Sequence, residues 1–240
     1  MFSSEFQAIV DRRRSNRRFD PLVEVPDDVI KRSIERAILA PNSSNMQLWE
    51  FYWIKNEDER KKYEALCLGQ SAAKTAKQIV VFVTRKDLWP QRAKWNYERL
   101  KAGIKGEPSK LEKRGLDYYG KLMPLAYRSD IFGFFAFVRR CISFFMGISK
   151  PFMRFGGKAD QRITVHKSCA LAAQTFMLSI AAEGFESCPM EGFDQVRVKK
   201  ALNLPAGAEI NMIIGVGKGT EQGIWGPRFR VPYEEVVFER

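Results

Sequence analysis

The stretch SCALAAQTFMLSIAAE, residues 168–183, decides the fold of this 240-residue chain. Residues 161–183 predict its longest helix, and Gly184 directly after them is a typical helix stop. Since this helix is apolar around most of its circumference, we expect it to be buried on several sides. A monomer would leave too much of that surface in water, so the sequence also predicts a dimer.

Helical and β-rich segments alternate around this helix. Helices are expected at residues 3–13, 26–40 and 57–77, and strands at 50–55, 78–84 and 209–216. A turn at 189–192, a short helix from Asp194 and an extended arm at 217–240 complete the second half. Residues 87–158 are aromatic, basic and mostly helical in propensity. We expect one domain over residues 1–240, of the α/β or α+β class, with a helical excursion at about 87–158.

The composition narrows the chemistry. With 45% hydrophobic residues, the chain can bury a core of ordinary size. One histidine, His166, and four cysteines without C-x-x-C spacing make zinc chemistry and serine or cysteine catalysis poor explanations, so no metal site is expected. The N-terminus lacks the apolar core of a signal peptide, and reduced thiols fit a cytoplasmic protein.

The formal charge of +12 comes from 40 Lys and Arg against 28 Asp and Glu. Such an excess attracts anions, which include nucleic acid, an anionic membrane and phosphorylated small molecules. Composition does not distinguish among these partners, so the positions of the basic residues have to.

Four short segments could carry chemistry, and each has an ordinary structural explanation. In RRRSNRRF, residues 12–19, five arginines surround a serine; the planar guanidinium groups suit a phosphate, but a solvated basic turn or a nucleic-acid patch looks the same. APNSSNMQLWEF, residues 40–51, places five amide or hydroxyl side chains in seven positions after a helix. Such a turn can contact a polar heterocycle, or it can hydrogen-bond to its own backbone.

The other two segments lie in the second half. CPMEGFD, residues 188–194, predicts a tight turn whose backbone N–H groups near Glu191 can face a ligand, or a plain turn before a helix capped by Asp194. In GPRFRVP, residues 226–232, Arg228 and Arg230 alternate along an extended arm. They therefore point to the same side, where they suit a phosphate or simply face water.

Taken in order, the four segments resemble the nitroreductase family of FMN-dependent NAD(P)H oxidoreductases. That family has an R-x-S-x-R phosphate motif, a P-S-S-x-N-x-Q-P-W turn, a P-x-E-G-F-D turn after an Ala-rich helix, and two basic residues before a late proline. The matching residues are Arg13, Ser15 and Arg17; Pro41, Ser43, Asn45, Gln47 and Trp49; Pro189, Glu191, Gly192, Phe193 and Asp194; and Arg228, Arg230 and Pro232. The resemblance covers residues 5–85 and 160–235. Asn42 replaces a small serine of the family, and Leu48 replaces a proline.

The resemblance implies a fold, a partner and cofactors. The fold is a mixed central sheet flanked by helices, of the α+β class, in an intertwined homodimer with two FMN at the subunit interface. NADH or NADPH passes hydride to flavin N5 and a small-molecule oxidant then collects the electrons in a ping-pong cycle, so no catalytic side chain is needed. The implied cofactor-binding residues are Arg13, Arg14, Ser15, Arg17, Pro41, Asn42, Ser43, Asn45, Gln70, Pro189, Met190, Glu191, Gly192, Arg228 and Arg230.

Within that set, the roles differ. The resemblance implies that Arg13, Arg17 and Arg228, with Arg230 as a further candidate, hold the phosphate, and that backbone N–H groups of residues 190–192 lie near flavin N5. Arg17 is the candidate for the positive charge that stabilises the reduced flavin at its N1/O2 edge. The turn at 41–45 reaches the flavin that is bound mainly by the other subunit.

Two other functions are open at this point. A specialised relative, such as a flavin-dependent dehalogenase or a flavin-consuming enzyme, would share the cofactor but not the turnover of nitroaromatics or quinones. A basic interaction protein would be colourless and would bind nucleic acid or lipid with strong salt dependence. The second is disfavoured because the basic residues fall at the family's phosphate positions.

The segment IFGFFAFVRRCISFFMGISKPFMRF, residues 131–155, holds eight phenylalanines and four basic residues. Arg139 and Arg140 split it into uncharged runs too short to span a membrane. We predict a helical lid whose aromatic faces cover the flavin and favour a flat oxidant such as a quinone. A helix lying on an anionic membrane surface is the less favoured alternative.

Overall fold

The computed structural model describes residues 2–130, 132–154 and 156–240. Its helices are α1 (Ser3–Arg12), α2 (Asp27–Ile38), α3 (Glu57–Leu66), α4 (Ser71–Thr75), α5 (Trp89–Gly103), α6 (Lys110–Asp117), α7 (Met123–Tyr127), α8 (Phe134–Ser149), α9 (Lys158–Ala182) and α10 (Gln195–Ala201). Its strands are β1 (Trp49–Ile54), β2 (Gln78–Arg85), β3 (Glu186–Met190) and β4 (Ala208–Gly217). Helices and an antiparallel sheet in this arrangement form the predicted α+β class.

The strands form one sheet in the order β1-β2-β4-β3, and every neighbouring pair is antiparallel. Residues 79–83 of β2 are fully buried, as expected for a central strand that is apolar on both faces. The family resemblance implied a mixed sheet. Among the described residues, the parallel component is confined to an isolated bridge between Ser15 and Ser187, at the outer edge of β3.

Helix α9 packs with α2 against one face of the sheet. Ala172, Ala173, Phe176 and Ile180 are fully buried there, and the Phe176 ring meets the edge of Phe82 on β2 at 5.4 Å between centroids. The small alanine side chains bring the helix close to the strands. On the other face, α3, α4 and α10 cover a second cluster of buried side chains. The central helix is therefore buried on several sides, as its composition predicts.

Two local predictions were wrong. Residues 57–77 form two helices rather than one, because Leu68 and Gly69 have positive φ angles of 57° and 73° and turn the chain between them. Pro189 lies inside β3, paired with Ile214, and not in a turn. A proline is tolerated there because β3 is an edge strand, so its missing N–H breaks no ladder hydrogen bond within the sheet.

The region between β2 and α9 is helical. Helices α5, α6 and α7, with a π-helical turn at Tyr118–Leu122, surround a third apolar cluster that includes Met46 and Leu48. Leu48, which replaces the family's proline, is 4% exposed in that cluster. Helix α8 follows, and no described helix is long and apolar enough to cross a membrane.

Candidate functional site

Four arginines lie close together where α1 ends; we call Arg13, Arg14, Arg228 and Arg230 the arginine cluster. Burial, followed by the charges of Arg228, Arg230 and Arg14, lowers the pKa of Arg13. Guanidinium groups repel one another, and although Asp11 lies 3.7 Å from Arg228, a bound anion would offset the remaining repulsion. The cluster is suited to a phosphate group.

Arg228 also has a structural role that the sequence did not indicate. Its guanidinium donates to the backbone carbonyls of Val10, Asp11 and Arg13, at 2.7–3.3 Å. These are carbonyls of the last turn of α1 and of the residue after it, where a cation is favourable. Arg228 therefore fixes the position of Arg13, whereas the exposed Arg230 donates, within the part of the chain that the structure describes, to the neighbouring Phe229 carbonyl.

Asn16 links the arginine segment, residues 12–19, to residues 220–223. The Asn16 side chain donates to the Thr220 carbonyl at 2.8 Å and accepts from the Arg18 N–H at 3.1 Å. A Cβ at position 223 would lie 1.8 Å from Asn16 Oδ1, so only glycine fits there. Asn16 was not among the predicted site residues, and its buried position shows that it holds the segment in place.

Ser15 and Arg17 flank Asn16 in the chain, and Ser15 pairs with Ser187 of β3. The Arg17 guanidinium carbon is 4.1 Å from the centroid of the exposed Trp225 ring, a cation–π contact. Beside Ser15, the hydroxyl of Ser187 is buried without a hydrogen-bond partner in the described structure. A buried hydroxyl without a partner is unusual, so Ser187, beside the arginine segment, is a candidate ligand contact. No sequence motif pointed to Ser187.

The segment after β3 contributes backbone rather than side chains. Met190 is buried in the core, so only its main chain can face a ligand, and Glu191 is exposed. The side-chain amide of Gln70 donates to the Gly192 carbonyl at 2.5 Å. The structure therefore brings Gln70, a candidate site residue, to the predicted ligand-facing turn. A Cβ at Gly192 would lie 3.2 Å from the Gln70 amide nitrogen.

The polar turn, residues 41–47, uses many of its hydrogen bonds internally. Asn42 Oδ1 accepts from the Gln47 N–H at 2.8 Å, and Ser44, Asn45 and Gln47 all have positive φ angles near 50°. Short polar residues tolerate that conformation better than others do. Asn42, which replaces the family's small serine, thus closes the turn through its side-chain oxygen. Pro41, Ser43 and Asn45 are the exposed members.

Neighbouring helices support the polar turn through residues that the sequence did not single out. Ser168 of α9 accepts the Ser43 N–H at 3.1 Å, the Tyr119 hydroxyl donates to the Ser44 carbonyl at 2.9 Å, and the Asn96 amide donates to the Asn45 carbonyl at 2.9 Å. Asn96 and Tyr119 belong to residues 87–158, where the four motifs that carry the family resemblance have no member. Only the structure could reveal them.

The arginine segment and the polar turn lie at opposite ends of the sheet. Ser187, which accepts the Asn16 N–H, pairs with Val216 of β4. The polar turn leads into Trp49, which faces Thr84, and Thr84 pairs with Glu209 at the start of β4. The separation from Glu209 to Val216 is roughly 23 Å at the usual rise per strand residue. Within one chain, the two groups therefore do not converge.

Two cavities bear on the site. The larger, of about 770 Å³, lies among α5, α6, the π-helical turn and α7, away from the arginine cluster. The smaller, of about 350 Å³, is lined by Ser43 and Ser44 of the polar turn and by residues of α7, α8 and α9. We favour the smaller as the ligand pocket because it touches a predicted cofactor-contacting segment.

The smaller cavity also has polar groups in its wall. Arg139 of α8 and Gln161 of α9 both line it, and each has one buried polar atom, Nη2 and Oε1, without a hydrogen-bond partner among the described residues. The polar side of α8 therefore faces this cavity. None of the described phenylalanines at 132–152 lines this cavity, and the aromatic lid over the flavin stays a prediction.

Comparison with known proteins tests the family resemblance independently. The sequence profile described as "Nitroreductase family" matches residues 10–218. A Bacillus subtilis relative provisionally named NAD(P)H nitroreductase MhqN is 26% identical over 235 residues, 98% of each chain. This confirms the family resemblance drawn from the four segments.

Solved structures show the same fold. A provisionally named nitroreductase from Bacillus subtilis has a TM-score of 0.75 at 24% identity, with 99% of each chain covered. One from Exiguobacterium sibiricum, solved in complex with FMN, has a TM-score of 0.70 at 19% identity, with 98% of this chain and 97% of that one covered.

Proposed function

Because the chain belongs to the nitroreductase family, we propose that it is an FMN-dependent NAD(P)H oxidoreductase that reduces a flat oxidant such as a nitroaromatic or a quinone. The observation that carries the proposal is the arginine cluster. Four guanidinium groups lie close together, three of them, Arg13, Arg228 and Arg230, at positions of the family motifs, and burial with this repulsion lowers the pKa of Arg13.

The chain's own residues bind and orient the cofactor. Arg13, Arg14 and Arg230 hold its phosphate, and Arg228 keeps Arg13 in place through the end of α1. Arg17 supplies positive charge beside the flavin ring, and the main chain of residues 190–192, braced by Gln70, offers N–H donors. When bound, FMN supplies the hydride and electron transfer that no side chain here can perform.

The dimer is part of the proposal. The arginine segment and the polar turn lie at opposite ends of one sheet, so both can contact one FMN only if they come from different subunits. On α9, Ile163 and Leu171 remain about half exposed in the single chain, which supports burial against a second copy. Ser43 and Asn45, the exposed members of the polar turn, would then reach the flavin of the partner subunit.

The oxidant would enter through the smaller cavity beside the polar turn. Its lining is largely apolar, with Tyr118, Met123 and Tyr127 providing flat or flexible surface. The unpartnered nitrogen of Arg139 offers a donor to a carbonyl or nitro oxygen. A flat molecule with an oxygen at one end satisfies both features.

Flavin binding tests the proposed function. The purified protein should be yellow, should release FMN on denaturation, and should oxidise NADH or NADPH when a quinone is added. Arg13→Ala should weaken FMN binding by about 1–3 kcal/mol, the loss of a hydrogen bond to a charged group. Arg18→Ala is the matched control, since the Arg18 side chain is exposed in the same segment.

A colourless protein that takes up no added FMN would contradict the proposal. Equal FMN affinities for Arg13→Ala and Arg18→Ala would show that the phosphate binds elsewhere. Sedimentation of the flavin-loaded protein as a monomer would exclude the shared site.

A further inference from the structure

Helix α8 turns its apolar side chains outward and its polar side chains inward. Five apolar residues on one side of the helix face away from the protein, each between 60% and 71% exposed: Phe134, Phe137, Phe144, Phe145 and Ile148. On the opposite side of the helix, Arg139 and Ser143 are 9% and 5% exposed. A helix on a water-facing surface normally has the reverse arrangement.

Hydrogen bonds fix this orientation. Arg139 donates to the carbonyls of Gly156, Arg128 and Leu125, at 2.7–3.2 Å, and Ser143 donates to the Met153 carbonyl at 2.7 Å. Rotating α8 to bury its phenylalanines would break all four bonds and leave the guanidinium unpaired. The apolar face is therefore held outward by the polar one.

The exposed apolar surface continues beyond both ends of the helix. Phe132 precedes α8 and is 96% exposed, and Phe152 and Met153 follow it and are also exposed. We call this surface, formed by α8 with residues 132, 152 and 153, the phenylalanine face. It is larger than a scattering of single exposed apolar residues, so it requires a partner.

The charged side chains between Asp130 and Asp160 are all positive, and Asp130 itself accepts hydrogen bonds from the N–H groups of Phe134 and Phe135 at the start of α8. Arg140, Lys150 and Arg154 are exposed, and the sequence has no acidic residue between Asp130 and Asp160. An apolar surface with an excess of cations along it is complementary to a lipid bilayer with anionic headgroups. Pairing the same face with a second copy would instead bring like charges together with no carboxylate in the segment to offset them.

We propose that the phenylalanine face binds the surface of an anionic lipid membrane. The 16 residues of α8 span roughly 24 Å, which is shorter than the hydrocarbon core, and Arg139 lies near the middle. The helix therefore lies in the plane of the membrane, with its phenylalanines among the acyl chains and Arg140 and Lys150 at the phosphates. Because Met153 belongs to the phenylalanine face and also lines the smaller cavity, a lipophilic oxidant in the membrane would lie close to the proposed pocket.

Flotation of the full-length, flavin-loaded protein with vesicles tests this proposal. The vesicles contain phosphatidylcholine alone or phosphatidylcholine with about a third phosphatidylglycerol. Wild-type protein should float with the anionic vesicles and much less with the neutral ones. Phe137→Ser combined with Phe144→Ser should reduce binding at least about tenfold, because two inserted aromatic rings are lost. Arg140→Glu should reduce binding by about tenfold and flatten its salt dependence.

Matched controls lie on α10, where Val196 and Arg197 are both exposed. Val196→Ser and Arg197→Glu should float like the wild type. Flavin content, measured on every variant, should stay unchanged, which separates this proposal from the proposed function. Three results would overturn it: no flotation of the wild type, a phenylalanine variant that changes the oligomeric state instead of lipid binding, or one that changes only the KM for soluble oxidants.

Discussion

Helices α8 and α9 are both rich in apolar residues, but α9 buries most of these side chains and α8 exposes them. In α9, alanines and Phe176 are buried against the sheet, and the helix has few exposed apolar residues. In α8, the apolar side chains are exposed and the buried positions belong to Arg139 and Ser143. The comparison shows that apolar content alone does not determine which side of a helix is buried. Positions of hydrogen-bonding side chains can decide it.

Replacing one phenylalanine in each helix is the strongest test of this difference. Phe176→Ala should destabilise the protein by about 3–5 kcal/mol, because it leaves a cavity between α9 and the sheet. Phe144→Ala in α8 should change the free energy of unfolding by no more than about 0.5 kcal/mol in the absence of lipid. Urea denaturation of both variants measures the two values. Similar losses would show that the α8 phenylalanines are buried, for example in the dimer.

The two adjacent arginines of α8 provide the second test. Arg139→Met should lower stability by about 2 kcal/mol, because the carbonyls of Leu125, Arg128 and Gly156 lose their donor. Arg140→Met changes a neighbouring exposed side chain and should have little effect. Limited proteolysis within residues 128–156 reports whether α8 loosens. Equal protection in both variants would show that Arg139 does not anchor the helix.

An ion pair at the end of α9 gives the smallest expected effect. The Arg32 guanidinium, with Arg36 beside it, lowers the pKa of Glu183 to about 2. A carboxyl with a lowered pKa stabilises the fold above its unfolded pKa of about 4.5, and this contribution is lost as the pH falls towards 2. Glu183→Gln should therefore cost about 1 kcal/mol at pH 7, since the arginines are partly exposed.

The pH dependence provides the check on this pair. The stability difference between wild type and Glu183→Gln should shrink steadily below pH 4.5 and disappear near pH 2. Glu35→Gln, at an exposed position on α2, serves as the control and should show little difference at any pH. A difference that persists at pH 2 would mean that the side chain acts through packing rather than charge.

Much of the fold could be predicted because its strongest patterns are local. The periodic helices α1, α2 and α9 and the β-rich strands β1, β2 and β4 agree with prediction within a few residues. The break between α3 and α4 was missed because nothing in a leucine followed by a glycine demands a positive φ at both. The orientation of α8 was missed because Arg139 and Arg140 look equivalent in sequence, and only the carbonyls around Arg139 distinguish them.

The sequence predicted which segments form the candidate site but not how those segments are arranged in space. Motif order located the arginine segment and the polar turn, but their separation along β4 follows from strand register. Residues such as Ser187, Asn96 and Tyr119 belong to no motif, and their relevance arises from tertiary contacts alone. The assignment of individual residues to FMN stays a prediction that the Arg13 and Arg18 variants can check.

The strand order has a consequence for how this protein is made. β2 is the most apolar strand, and its outer neighbour β1 leaves the ribosome before it, but its other neighbour β4 follows only after residues 86–207 have been synthesised. At the usual rate of translation this takes on the order of 10 s. Throughout that time, one edge of β2 has no partner and can pair with a strand of another nascent chain. Yield in a fast-translating host should therefore depend on chaperones that bind the nascent chain until β4 emerges.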